Sequence, residues 1–221
     1  MVTPWMYSIS SLDRSYFKTR CPQVKEIKNF NLESMMGFWY VVQYYASSEE
    51  LPEYACMRSY FTFDDNNRHN NEKLVTMNFS YIYAEDPYRE QLIGNITWRI
   101  PNFNIPAHWV HTEYIYEGVY NTYVIDTDYE SWSLIMHCAE KSKSPRYLSA
   151  LLLSREPSVA TNVASFLRDK LPQYDIDLSF MFDIRQDEDM CESVKNVSDP
   201  ISFSFNSQIN RKRKISIIPN K

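Results

Sequence analysis

Glycine is nearly absent: Gly37, Gly94 and Gly118 are the only three in 221 residues. A phosphate-cradling loop needs closely spaced glycines, and neither GxGxxG nor GxxxxGK occurs, so nucleotide folds built on such loops are excluded. Cysteine is sparse too. Cys21, Cys56, Cys138 and Cys191 stand far apart with no CxxC pair, so metal-ligand spacing is missing. Four dispersed cysteines read as two structural disulfides in an oxidising compartment rather than as free thiols, and three pairings are open. No run approaches the ~20 apolar residues of a membrane-spanning helix. The net charge of −5 leaves no nucleic-acid footprint. The one basic run, Arg211-Lys212-Arg213-Lys214, reads as part of a solvated tail.

Catalytic patterns are absent as well. His69, His108, His111 and His137 form no HExxH. His108 and His111 are three apart on a predicted strand, hence on opposite faces, and share no metal. Ser131-Trp132-Ser133 is no nucleophile elbow, because GxSxG is missing. The acidic pairs Asp64-Asp65 and Glu85-Asp86 and the run Asp187-Glu188-Asp189 fall in predicted turns. The chain is read as neither an enzyme nor a metal or cofactor protein.

Aromatics are plentiful, at 15% of the chain with 17 Tyr, and Tyr is favoured in strands. Residues 74–83 alternate strictly. Val75, Met77, Phe79, Tyr81 and Tyr83 share one face; Leu74, Thr76, Asn78, Ser80 and Ile82 share the other. Residues 91–100 repeat the pattern, with Leu92, Gly94, Ile96, Trp98 and Ile100 on the apolar side. This period of two marks strands with one buried face. Further strands are predicted at 39–45, 55–63, 109–117, 119–126, 132–139 and 147–154. Val110, Thr112, Tyr114 and Tyr116 are read as the inward row of 109–117. Eight closely spaced strands suggest a sandwich or an up-and-down barrel. One helix is predicted between Pro157 and Pro172, with Val159, Val163, Phe166 and Leu167 as its apolar stripe.

Three N-x-S/T triplets, at Asn78, Asn95 and Asn196, point to secretion and glycans. The first two asparagines fall on polar strand faces, where a glycan is tolerated. Met1 to Arg20 lacks a basic stretch followed by an apolar core, so no signal peptide is visible in it. The expectation is a secreted chain whose residues 1–20 are an unstructured segment or a misassigned leader. After Cys191 the sequence turns polar, and 193–221 is read as a tail.

Gly37-Phe38-Trp39 opens the first strand, Thr127-Asp128-Tyr129 follows the sixth, and Arg155 follows the eighth, directly before the helix. In this order and spacing they resemble the lipocalin signature, and the likeness is to the apolipoprotein D, Lazarillo and bilin-binding group. Cys21-Pro22, Cys56, Cys138 and Arg155-Glu156-Pro157 extend the resemblance over about Cys21 to Cys191, which gives a domain at 21–192. Trp132 stands where the family often has Tyr.

The resemblance implies an all-β fold: an eight-stranded antiparallel up-and-down barrel with one C-terminal helix packed outside. It implies Cys21–Cys138 and Cys56–Cys191 disulfides. It implies that Trp39 plugs one barrel end under the guanidinium of Arg155, with Asp128 holding the adjacent turn. It also implies a carrier of a small hydrophobic ligand such as a bilin, retinoid, fatty acid, sterol or pheromone-like molecule. An eight-stranded barrel has room for one such ligand. The alternating faces suggest Phe61, Met77, Phe79, Tyr81, Trp98, Tyr114, Tyr116, Tyr123 and Met136 as its lining, open opposite Trp39. The competing reading is a surface-interaction protein, a protease inhibitor or the ligand of a cell-surface receptor, on the same scaffold.

Overall fold

A computed structural model describes residues 19–25, 27–47, 54–65, 72–113, 118–140 and 145–194. The N-terminal-segment and tail expectations, and Asn196 with its triplet, fall outside these residues, apart from the last two residues of the first segment and the first two of the tail. Eight strands follow in order: β1 (Gly37–Ala46), β2 (Tyr54–Asp64), β3 (Leu74–Tyr83), β4 (Leu92–Arg99), β5 (His108–Glu113), β6 (Gly118–Thr127), β7 (Trp132–Glu140) and β8 (Tyr147–Ser154). Each pairs antiparallel with the next, and β1 pairs with both β8 and β2, which closes the sheet into a barrel.

The register fixes which side chains point inward. Trp39 opposes Ser59, Ser59 opposes Phe79, and Phe79 opposes Gly94. Val75 opposes Trp98. The inward rows merge into one cluster around Trp39, Phe61, Val75, Trp98, Trp109, Ile135 and Leu153. A second cluster lies outside the barrel. There Leu134, Met136, Leu148, Ala150 and Leu152 of β7 and β8 meet Leu167 of α2 (Thr161–Arg168). Val163, Ala164 and Leu167 recur at helical spacing and face the sheet. Full burial of Leu167 stabilises this docking by about 2 kcal/mol.

The helix is shorter than the two prolines suggest. It starts at Thr161, and Pro172 opens a separate 3-10 turn after it. Phe166, read as part of the stripe, is 51% exposed instead. It lies beside the Lys170 ammonium and the edge of Trp132.

The chain after α2 returns to the barrel wall. β9 (Phe182–Asp183) pairs with Gln43 and Tyr44 of β1. β1 carries a bulge between Val41 and Gln43, and its pairing to β2 runs from Gly37 to Tyr40. Where the two strands part, Gln186 Nε2 donates to the carbonyls of both Val41 and Met57. Ile184 N–H donates to Val42, and Cys56 N–H to Arg185. The returning segment thus occupies the wedge between the diverging strands. It ends in α3 (Glu188–Cys191), where Cys191 is disulfide-bonded to Cys56. At the other terminus Cys21 is bonded to Cys138 of β7.

Candidate functional site

The end of the barrel where β1 starts is sealed. A one-turn helix, α1 (Leu32–Met35), lies across it, capped by Asn31 Oδ1 accepting from the Ser34 N–H at 3.1 Å. A side-chain oxygen at this position satisfies an otherwise orphaned helix N–H. Met35 is fully buried, and its carbonyl accepts from Trp39 Nε1 at 2.9 Å. Sequence reasoning missed α1 because a single turn has no periodicity to detect.

Trp39 is fully buried, and the Arg155 guanidinium lies 3.6 Å from its ring centroid. Arg155 donates to the carbonyls of Phe38 (2.6 Å), Met36 (3.0 Å), Ser34 (3.1 Å) and Tyr129 (3.2 Å). Burial lowers the Arg155 pKa, and the charge of Asp128 works against that lowering. Gly37 has φ +95°, and a Cβ there would meet Arg155 Nη1 at 3.4 Å. Any side chain at Gly37 is therefore strained by its backbone conformation and sits in direct contact with the guanidinium. Thr127-Asp128-Tyr129 builds the adjoining turn. Asp128 Oδ1 accepts from the N–H groups of Ser131 and Trp132 at 2.8 Å, and Thr127 Oγ1 donates to the Trp132 carbonyl. The Tyr129 hydroxyl accepts from the Asn31 N–H at 3.0 Å, which ties the turn to the helical plug.

Above this seal the inward residues divide into two levels. In the lower half Trp39, Phe61, Val75, Trp98, Trp109, Ile135 and Leu153 are at most 2% exposed. They form a packed floor. In the upper half Phe79, Ile96, Tyr120, His137 and Tyr147 also face inward but keep accessible surface. Tyr44, Tyr54, Tyr81 and Tyr83 make a ring of mutual aromatic contacts at the top, with centroids 5.0 to 5.8 Å apart. The Phe79 ring lies over Gly94, where a Cβ would come within 2.5 Å of it. The inward side chains are thus tightly packed below and only partly buried above; the upper level is called the cup.

The residues expected to line the interior differ in where they face. Phe61, Met77 and Trp98 face inward but belong to the floor, and Phe79 and Tyr81 face the upper space. Tyr123 and Met136 are corrections: both point outward, into the cluster under α2. Tyr123 stacks on His108 at 4.5 Å. The helix makes the outer face of β6 to β8 as apolar as the inner one, so alternation carries no information there. On β5 the rows are reversed as well. Trp109 faces inward, while Val110 opposes exposed Arg99 on the outer surface. Tyr114 and Tyr116 lie outside the described residues. Asn78 and Asn95 are direct register partners on the outer face, Asn78 half-buried and Asn95 exposed.

One polar group in the cup was not singled out as a site by the sequence. His137 faces inward from the middle of β7, with Nδ1 2.8 Å from Thr122 Oγ1 and its ring stacked on Trp98 at 5.9 Å and 5°. Thr122 and Ser149 oppose it on β6 and β8. Burial pushes its pKa down to about 4. Tyr120 and His111 face the cup from β6 and β5, and no charged group contributes to the His137 shift. In the unfolded chain a histidine titrates near ~6.5. Between these values the unfolded chain binds the extra proton, so stability is full above pH ~6.5 and falls as the pH drops toward 4. The whole loss is at most about 3 kcal/mol, trimmed by the water that reaches the ring. Urea unfolding from pH 7 to 4 should show this fall, and His137→Gln should flatten it. An unchanged slope in the variant would show that the fall has another source.

Among the described residues no group of His, Cys, Asp and Glu is placed to hold a metal. No described helix is long and apolar enough to cross a membrane. No protein-family model matches the chain, and neither does any curated protein. Solved structures do match. Apocrustacyanin C1 superposes with a TM-score of 0.57 at 16% identity, over 76% of this chain and 89% of its own. Lobster apocrustacyanin A1 gives 0.54 at 15% identity, over 77% and 92%. Apocrustacyanin C2 gives 0.55 at 15% identity, over 76% and 92%. Likeness at these identities establishes a shared fold.

Proposed function

We propose that this chain, which has the lipocalin fold, is a secreted carrier that holds one small apolar molecule in the upper half of its barrel. The observation that carries this reading is the division of the interior. Below, aromatic and aliphatic side chains pack without accessible surface; above, inward-facing Phe79, Ile96, Tyr120 and Tyr147 keep theirs. Concave, largely apolar space with a few polar groups is what a small hydrophobic ligand requires. The two disulfides fit an oxidising compartment. The chain is read here as a binding protein and not as an enzyme.

The uncharged probe N-phenyl-1-naphthylamine should bind the disulfide-intact protein at one site with a micromolar Kd and quench Trp98, which forms the cup floor. Ile96→Trp, which fills the cup from β4, should weaken that binding at least tenfold while the midpoint of thermal unfolding stays close to that of the parent. Absence of saturable binding in the parent protein would overturn the carrier reading.

A second reading has its own observation. A cleft of about 480 Å³ lies outside the barrel at the sealed end, lined in part by Phe30, Leu32, Phe63, Lys73 and Phe103. Phe103 is 54% exposed, and the Lys73 ammonium lies 5.3 Å from its ring centre while pairing with Asp65. If the barrel binds no probe, this surface supports the interaction-protein alternative.

A further inference from the structure

We infer that His137 is the polar anchor of the cup. It selects an uncharged ligand whose hydrocarbon body carries a hydroxyl or carbonyl group, and it discriminates against a carboxylate. This inference rests on the carrier reading and narrows its ligand class.

The geometry comes first. His137 sits midway along β7, above the packed floor and below the tyrosine ring. Its ring is fixed on two sides: Trp98 stacks beneath it, and Thr122 Oγ1 holds Nδ1 at 2.8 Å. His137 as a whole is half-buried. Nε2 has no hydrogen-bond partner among the described residues, yet it is not one of the fully buried polar atoms left without one. A polar group held by neighbours on one side and open on the other is suited to orient a ligand.

The charge environment decides what it orients. The described inward positions of the eight strands carry no lysine or arginine. Among the described residues the cup therefore offers no lysine or arginine to receive a carboxylate, and burial keeps the imidazole neutral at pH 7. An unpaired carboxylate taken out of water is strongly disfavoured. A hydroxyl or carbonyl has a much smaller desolvation cost, and one good hydrogen bond offsets it. The Thr122 contact sets the two protonation patterns of the neutral ring. If Thr122 donates to Nδ1, then Nε2–H donates to a carbonyl or hydroxyl oxygen. If Nδ1–H donates to Thr122, then Nε2 accepts from a hydroxyl. A hydroxyl is served by both patterns, a carbonyl by the first.

The test compares all-trans-retinol with all-trans-retinoic acid at pH 7.5, with pyrene as an uncharged hydrocarbon control, each followed by tryptophan quenching. The native protein should bind retinol at least tenfold more tightly than retinoic acid. His137→Leu should weaken retinol binding at least fivefold relative to pyrene while retinoic acid stays disfavoured, and His137→Gln, which keeps a hydrogen-bonding group, should restore part of the retinol affinity. Equal affinities for the two retinoids in the native protein, or an unchanged retinol-to-pyrene ratio in both variants, would overturn the role of His137 while pyrene binding leaves the carrier reading standing. Failure of pyrene and both retinoids to bind would overturn the carrier reading, and this inference with it.

Discussion

Arg155→Ala is expected to lower the stability of the barrel by about 2–4 kcal/mol, the cost of leaving several part-buried carbonyls without their charged donor and losing a ring contact. For a domain of this size that corresponds to a fall of about 10 °C in Tm. The carbonyls of Phe38, Met36, Ser34 and Tyr129 all lose a charged donor at once. Each such bond is individually modest, and water replaces some of them because the guanidinium is only half-buried. What water cannot replace is the plate stacked 3.6 Å above Trp39. Arg155→Lys should recover little, since an ammonium neither stacks as a plane nor reaches four carbonyls from one position. Denaturant unfolding of both variants checks this. A loss below ~1 kcal/mol, typical of a solvent-exposed arginine, would show that the seal is held by α1 and Trp39 alone.

Removing the disulfides is expected to have the larger effect. The Cys21–Cys138 and Cys56–Cys191 bridges span 117 and 135 residues. Cross-links over loops this long reduce the unfolded chain's entropy by up to ~4–5 kcal/mol each in the loop-closure model, with measured values often nearer 2–4. The two bridges should not be equal. At Cys56–Cys191 other contacts persist after reduction: Arg58 donates to the carbonyls of Val194 and Cys191, and Gln186 bridges Val41 and Met57. At Cys21 the described local support is the Glu140 carboxylate accepting its N–H, with Arg146 donating to Arg20 nearby. Paired Cys→Ala variants, unfolded in urea with and without reductant, should each lose at least 2 kcal/mol, about the lower end of the typical range. Near-neutral variants would mean that the folded barrel does not depend on closing either loop.

The barrel was legible where one sheet face meets water. β3 and β4 alternate cleanly because their outer rows, with Thr76, Asn78, Asn95 and Thr97, are polar. The sealed end was legible through the resemblance: Gly37, Trp39, Asp128 and Arg155 stand in the order and spacing of the lipocalin signature, and the structure makes of them a positive φ, a plug, a turn and a lid. β7 and β8 were not legible as to face, since α2 buries their outer row and leaves Leu134 and Ile135 equally apolar neighbours. That is why Met136 and Tyr123 were placed inside and His137 was not. The reversed rows of β5 have a related origin. Trp109 beside Val110 offers two apolar candidates for one inward position, and the seam contact that decides it, His111 Nδ1 donating to the Thr97 carbonyl, joins residues far apart in sequence.

The segment wedged between β1 and β2 has a consequence for colloidal behaviour. A strand whose N–H and C=O groups face outward unpaired is a template for another chain. Here β9, Ile184 and Gln186 cover those groups where the two strands separate. They are held there from the far side by the Cys56–Cys191 bond. Reduction in a cytosol-like medium would leave this cover held only by the hydrogen bonds of Gln186, Arg58 and β9, so the two strand edges would open more often. The bond that tethers the C-terminal segment thus also limits how often those edges are offered to another chain.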